Sequence, residues 1–106
     1  LAPIKCAVLP LKRNDDNLTG KAKEVFNRLK TRFSCQYDDV GSIGKLYRRQ
    51  DAIGTPFCIT IDFETLEDNT VTLRDRDTLK QERVSIDQLE NIIRDRVDMS
   101  NLLNLL

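Results

Sequence analysis

The stretch IKCAVLPL, Ile4 to Leu11, constrains this chain more than any other. It is apolar at almost every position, rich in strand formers and ended by Pro10. A run of that kind reads as a strand buried on both faces, not as an alternating half-exposed one. Segments suited to covering it follow. NDDN supplies turn and N-cap residues. Leu18, Ala22, Val25, Phe26, Leu29 and Phe33 then recur at helical spacing, with Lys21, Lys23, Arg28 and Lys30 on the solvent side. SCQYD reads as a short second strand. In GSIGKLYRRQDAIG, Ser42 is placed to cap a helix, Ile43, Leu46, Tyr47 and Ile53 form an apolar stripe, and Gly54 stands where a C-terminal glycine belongs.

TPFCITIDF is a third strand, in which Phe57, Ile59, Ile61 and Phe63 alternate with Cys58, Thr60 and Asp62. ETLEDN reads as a turn, TVTLRDRD as a fourth strand hairpinned to the third, and QERVSI as a fifth. DQLENIIRDRV is the last helix, with Asp87 and Glu90 resembling a capping box and Leu89, Ile92, Ile93 and Val97 facing inward. The order β-α-β-α-β-β-β-α implies an α/β fold: a five-stranded mixed sheet with three helices. Its first three strands are parallel and its fourth antiparallel, and right-handed crossovers put helices on the sheet faces. With 106 residues and no linker or repeat, one domain with one modest core is expected. It is assigned to residues 1–98, and 99–106 to a C-terminal tail that extends the last helix or docks on another domain. The chain opens on LAPIK without a methionine or a signal-peptide pattern, which reads as part of a longer protein.

Charge narrows the function classes. Lys plus Arg and Asp plus Glu both number 17, so the net charge is zero and any nucleic-acid contact has to rest on a local patch. No run of about 18 apolar residues is present, so no membrane partner is expected. The sequence contains no His, which removes Ser-His and Cys-His nucleophiles. Its three Cys, at 6, 35 and 58, form no CxxC pair, so no metal site is expected and three reduced thiols of a cytosolic protein are. GSIG, between a strand and a helix, raises phosphate binding, but it lacks the dinucleotide and phosphate-loop spacings and reads as a helix start.

TLRDRDT, Thr72 to Thr78, remains. Two Arg and two Asp alternate at the end of a strand. Val71 and Leu73 point to one face, and Thr72, Arg74 and Arg76 to the other. Both Arg should reach beyond the strand end, near Gly54 to Phe57. One reading is a surface ladder of ion pairs among Arg74, Arg76, Asp75, Asp77 and Asp62, worth about 0–1 kcal/mol per pair. The other is a ligand surface, since guanidinium forks and carboxylates side by side suit nucleobase edges.

LAPIKCAVLPL, YDDVGSIGKLYRRQDAIGTPF and TIDFETLEDNTVTLRDRDT together resemble the C-terminal anticodon-binding domain of glycyl-tRNA synthetases, a class II aminoacyl-tRNA synthetase family. The resemblance spans roughly Leu1 to Val97 and agrees with the five-stranded mixed sheet. It departs at Leu46 and Ala52, where glycyl enzymes often carry a base and an acid, so no role transfers to those two positions. It implies a parent enzyme of the cytoplasm, usually a homodimer, that attaches glycine to tRNA with ATP and magnesium. The motifs for that chemistry lie outside this chain, which is expected to hold no cofactor and to be non-catalytic. The partner implied is glycine tRNA, whose anticodon ends in two cytosines. A carboxylate accepts from the cytosine amine while an Arg donates to its ring nitrogen and carbonyl. Anticodon loops are single-stranded, so these edges are open to reading. The anticodon candidates are therefore Arg74, Arg76, Asp75 and Asp77, with Phe57 either stacking on a base or belonging to the core. Lys12, Arg13, Lys45, Arg48 and Arg49 are phosphate candidates, although Arg48 or Arg49 can instead pair with Asp38, Asp39 or Asp51. A second resemblance, to the non-catalytic accessory subunit of mitochondrial DNA polymerase, and a small free-standing α/β enzyme are the alternatives.

Overall fold

The computed structural model describes residues 4–104, with side chains through residue 99. The elements in chain order are β1 Cys6–Pro10, α1 Asp16–Leu29, β2 Cys35–Tyr37, α2 Ile43–Ile53, β3 Phe57–Ile61, α3 Phe63–Asp68, β4 Thr70–Asp75, β5 Gln81–Ser85 and α4 Ile86–Asn104. The strands form one mixed sheet in the order β2-β1-β3-β4-β5. β1 pairs in parallel with β2 and β3, whereas β4 pairs antiparallel with β3 and β5.

The apolar run that opened the sequence lies second from the edge and is covered on both faces: every residue of β1, and every residue of β3, is buried. On one face Cys6, Val8, Phe57, Ile59, Ile61, Val71 and Leu73 meet Leu18, Ala22, Val25 and Leu29 of α1 and Ile86, Leu89 and Ile93 of α4. On the other, Ala7, Leu9 and Cys58 meet Leu46 of α2, with Ile43 and Tyr47 packed alongside. One helix thus covers the second face, and it covers only the part built from β1 and β3. Opposite β4 and β5 that face stays open among the described residues, with Gln81 and Arg83 exposed and Thr72 and Arg74 partly covered.

Four sequence expectations change. ETLEDN is not a turn: Phe63–Asp68 is a short helix, so the described residues hold four helices where three were expected. Asp62 caps it, its carboxylate accepting from the Thr65 amide at 3.2 Å while the Thr65 hydroxyl accepts from the Asp62 amide at 3.1 Å. Asn69, left-handed at φ 63°, ends it. Phe63 accordingly leaves the alternation of β3 and is 47% exposed, and Ile53, the last residue of α2, is 53% exposed and outside the apolar stripe. At α4 the Ser85 hydroxyl accepts from the Asp87 amide at 3.1 Å, and Glu90 pairs with Arg32 at 3.1 Å, so Ser85 makes the cap expected of Asp87 and Glu90. α4 continues without a break past residue 98. Gly54 does end α2, in the left-handed conformation at φ 90°.

Candidate nucleic-acid interface

Antiparallel pairing sets Arg74 beside Cys58 and Asp75 beside Phe57. Arg76, one residue past β4, donates its amide to the Pro56 carbonyl at 2.9 Å. Both Arg therefore reach the turn between α2 and β3, as the alternation requires. Their partner there is Asp51, in the last turn of α2. The Arg74 fork donates to both Asp51 carboxylate oxygens, at 2.8 and 3.1 Å, and Arg76 Nε donates to the Asp51 carbonyl at 3.2 Å. The Arg74 guanidinium also lies over the Tyr47 ring, 5.0 Å from its centroid. Tyr47 and Asp51 are four residues apart and share one side of α2. The Tyr47 hydroxyl in turn meets the Thr60 hydroxyl.

The electrostatics follow from these contacts. The Arg74 hydrogen bond, helped by its charge and that of Arg76, holds the Asp51 carboxyl below its ordinary value against a smaller opposing effect of burial. The same bond holds the Arg74 guanidinium above its ordinary value. Burial pushes the Tyr47 phenol up. Arg74, with 13% of its side chain exposed, is a fixed cation wedged between a carboxylate and a ring. Arg76 is more open, at 43%, and its Nη1 lies 3.7 Å from the 81% exposed Asp77.

The ion-pair ladder is thus only partly present. Arg76 meets Asp77, but Asp75 instead folds the following turn, its carboxylate accepting from the amides of Asp77 at 2.9 Å and Thr78 at 3.3 Å. Asp62 belongs to another cation. Arg83 of β5 grips it through both Nη groups at 2.6 Å and also donates to the Thr70 and Thr72 hydroxyls and the Thr70 carbonyl. That bond lowers the Asp62 carboxyl. Tyr47, Asp51 and Arg83 were not singled out from the sequence as part of this surface. The available signals were the i, i+4 spacing of Tyr47 and Asp51 and the period of two that aligns Arg83 with Thr72.

The remaining candidates lie elsewhere. Phe57, 6% exposed, is a core residue on the face covered by α1 and α4. Arg49 is committed to Asp38, one nitrogen meeting both carboxylate oxygens at 2.7 and 2.6 Å, and to the Val40 carbonyl at 2.8 Å. Lys12, Arg13, Lys45 and Arg48 are exposed. Lys12 and Arg13 line an open groove of about 660 Å³ with Asn14 and Gly41 to Ile43, beyond the end of β1. That groove is at the start of α2 and Asp51 of the Arg74 cluster is near its end, roughly 12 Å along the helix at about 1.5 Å per residue. Among the described residues no cluster of His, Cys, Asp or Glu could hold a metal ion, and no helix is long and apolar enough to cross a membrane.

The structure is an α/β domain with one sheet face half uncovered among the described residues, and with Arg forks and carboxylates at its margin. The chain belongs to the anticodon binding domain family, which it matches over residues 5–96. It is 58% identical to a glycine–tRNA ligase of Thermobifida fusca over 97 residues, which are 92% of this chain and 21% of that protein. The chain therefore spans about a fifth of that relative's length. The RNA binding domain of threonyl-tRNA synthetase from Cryptosporidium parvum superposes with a TM-score of 0.79 at 27% identity, covering 89% of this chain and 24% of the other. Prolyl-tRNA synthetase from the same organism gives a TM-score of 0.83 over 92% of this chain and 21% of the other, and at 19% identity it speaks to the fold alone.

Proposed function

We propose that this chain recognises the anticodon of glycine tRNA as one domain of a longer cytoplasmic, homodimeric glycine–tRNA ligase. The parent's catalytic part uses ATP and magnesium. The domain comprises residues 1–98, and 99–106 is a C-terminal tail. The observation that carries the reading is the pair Arg76 and Asp77: a half-open guanidinium beside an open carboxylate, at the rim of an uncovered sheet face. Together they offer the donors and the acceptor that a cytosine edge requires. Arg74, held by Asp51, fixes the floor beneath them, and Asp75 shapes the turn that presents Asp77. Phe57 contributes as packing under the strand end. Lys12, Arg13, Lys45 and Arg48 bind phosphates farther along the strand, and Arg49 orients α2. The accessory-subunit alternative has no observation in its favour.

The test is a double-mutant cycle in the full-length ligase between Arg76→Ala and each anticodon cytosine. Arg76→Ala should cost about 1–3 kcal/mol in kcat/KM for charging, the range for one good base contact. The loss should shrink when the contacted cytosine is already replaced, because both changes remove one interaction. Arg76→Lys should rescue poorly, since an ammonium does not reproduce the planar fork. Coupling near zero at both cytosines would refute the assignment.

A further inference from the structure

Two of the three thiols stand together. Cys6 of β1 and Cys35 of β2 are register partners in adjacent parallel strands, and both pack toward the face covered by α1 and α4. Neighbouring strands lie about 4.7–4.9 Å apart. That is inside the window of about 4.4–6.8 Å between Cα atoms that a disulfide spans. The sulfur atoms are 2.6 Å apart, close to the bonded distance of about 2.05 Å, and the described cysteines are free thiols. Their exposure differs. Cys6 is fully buried, whereas Cys35 is half-buried on a strand of three residues that lies at the edge of the sheet among the described residues. Cys58 is buried on the opposite face of the sheet, under α2, and cannot reach either.

We propose that Cys6 and Cys35 form a peroxide-oxidisable thiol pair that closes to an intramolecular disulfide. A hydroperoxide first oxidises Cys35, the less buried of the two residues: its thiol becomes a sulfenic acid and the O–O bond breaks to leave an alcohol or, from hydrogen peroxide, water. The Cys6 sulfur then attacks the Cys35 sulfur. The S–S bond forms, the S–O bond breaks, and the hydroxyl departs with the Cys6 proton as a second water. Two electrons pass from the two sulfurs to the peroxide. The hydrogen bond to Cys35, together with burial, holds the Cys6 thiol up, which assigns the first oxidation to Cys35. Burial pushes the Cys58 thiol up to about 11, so Cys58 serves as an internal control. The product staples the edge strand β2 to β1 and closes a loop across a separation of 29 residues.

The experiment treats the whole chain with a small excess of hydrogen peroxide, alkylates the remaining thiols and maps tryptic peptides without reduction. The expected product joins peptide 6–12 to peptide 33–45, two hydrogens lighter than their sum, and a dithiol reverses it. Cys35, the more exposed residue, and Cys6, whose sulfur touches it, should lose alkylation at least about tenfold faster than Cys58, which touches neither. Cys6→Ala should leave Cys35 as a sulfenic acid that dimedone traps, and Cys35→Ser should protect Cys6. Oxidation of Cys35 to the sulfinic acid with Cys6 still alkylatable, loss of Cys58 at the same rate, or oxidation of Cys6 in the Cys35→Ser chain would each overturn the proposal. The wild-type map decides the matter without relying on the folding of any variant.

Discussion

Replacing Asp51 by Ala removes the acceptor of a two-pronged bond and leaves Arg74 enclosed by the Tyr47 ring and the sheet. Breaking a fully buried pair costs about 3–5 kcal/mol because a charge is stranded. An exposed pair is worth about 0–1 kcal/mol. Arg74 is 13% exposed but Asp51 is 35% exposed, so solvent screens one end and the loss should fall between these limits, at about 1–2 kcal/mol. With a urea slope of about 1–3 kcal/mol per molar, the midpoint should drop by roughly 0.3–2 M. Arg76→Ala, which strands no enclosed group, should stay within about 0.5 kcal/mol of wild type. The sign with pH also follows. The folded-state carboxyl of Asp51 lies below its ordinary 3.8, so its contribution is complete above pH 3.8 and fades as pH falls through the lower folded value. Urea titrations of wild type and Asp51→Ala, followed by circular dichroism at pH 7 and at stepwise lower pH, test both statements. The two midpoints should converge in acid. A loss below about 0.3 kcal/mol at pH 7, within the range of neutral surface changes, or a gap that does not narrow in acid, would show that the carboxylate does not hold Arg74.

Gly54→Ala should destabilise the chain by about 1–2 kcal/mol in the same titration. Nothing lies within 4 Å of the added Cβ, so the cost comes from the φ of 90° alone. Binding of glycine tRNA by the domain should weaken only gently with salt, by about 0.7 log units per log unit of salt for each single-strand phosphate neutralised. With zero net charge and four exposed candidate cations, a filter-binding slope corresponding to ten or more phosphates would contradict the footprint assigned here.

Most of the sheet was legible because burial on two faces leaves a strong trace. The runs at Cys6–Pro10 and Phe57–Ile61 have few polar residues, and such strands need helices on both sides. The spacing of α1 and the glycine ending α2 were equally plain. What stayed hidden was short or distant. The helix Phe63–Asp68 has six residues, too few to show a period, and its capping box uses Thr65 where Glu or Gln is usual. In the site, alternation correctly put Arg74 and Arg76 on one side of the strand end. It could not name Asp51, 23 residues earlier in the chain, as their partner, because that pairing depends on how α2 is rotated. Nor could it decide between two roles for Phe57, since alternation specifies a face and not what covers it.

The rotation of α2 is therefore the step that turns a fold into a site. The apolar contacts beneath this helix are few, with Leu46 its one fully buried apolar side chain, and a patch of that kind resists separation more than rotation. Direction comes from polar groups. Gln50, completely buried, donates to the Asp38 carboxylate at 3.2 Å and accepts from the Thr55 hydroxyl at 2.8 Å. Asp38 at the end of β2 also receives Arg49 and the Val40 amide, so one carboxylate fixes two consecutive residues of the helix. Buried hydrogen bonds tolerate little displacement, since a lost partner leaves a desolvated group behind. With Gln50 locked inward, the next residue lies about 100° further round the helix. That residue is Asp51, which is thereby turned toward β4, where Arg74 and Arg76 meet it. A network at the far side of the helix thus sets the position of two guanidinium groups that it never touches.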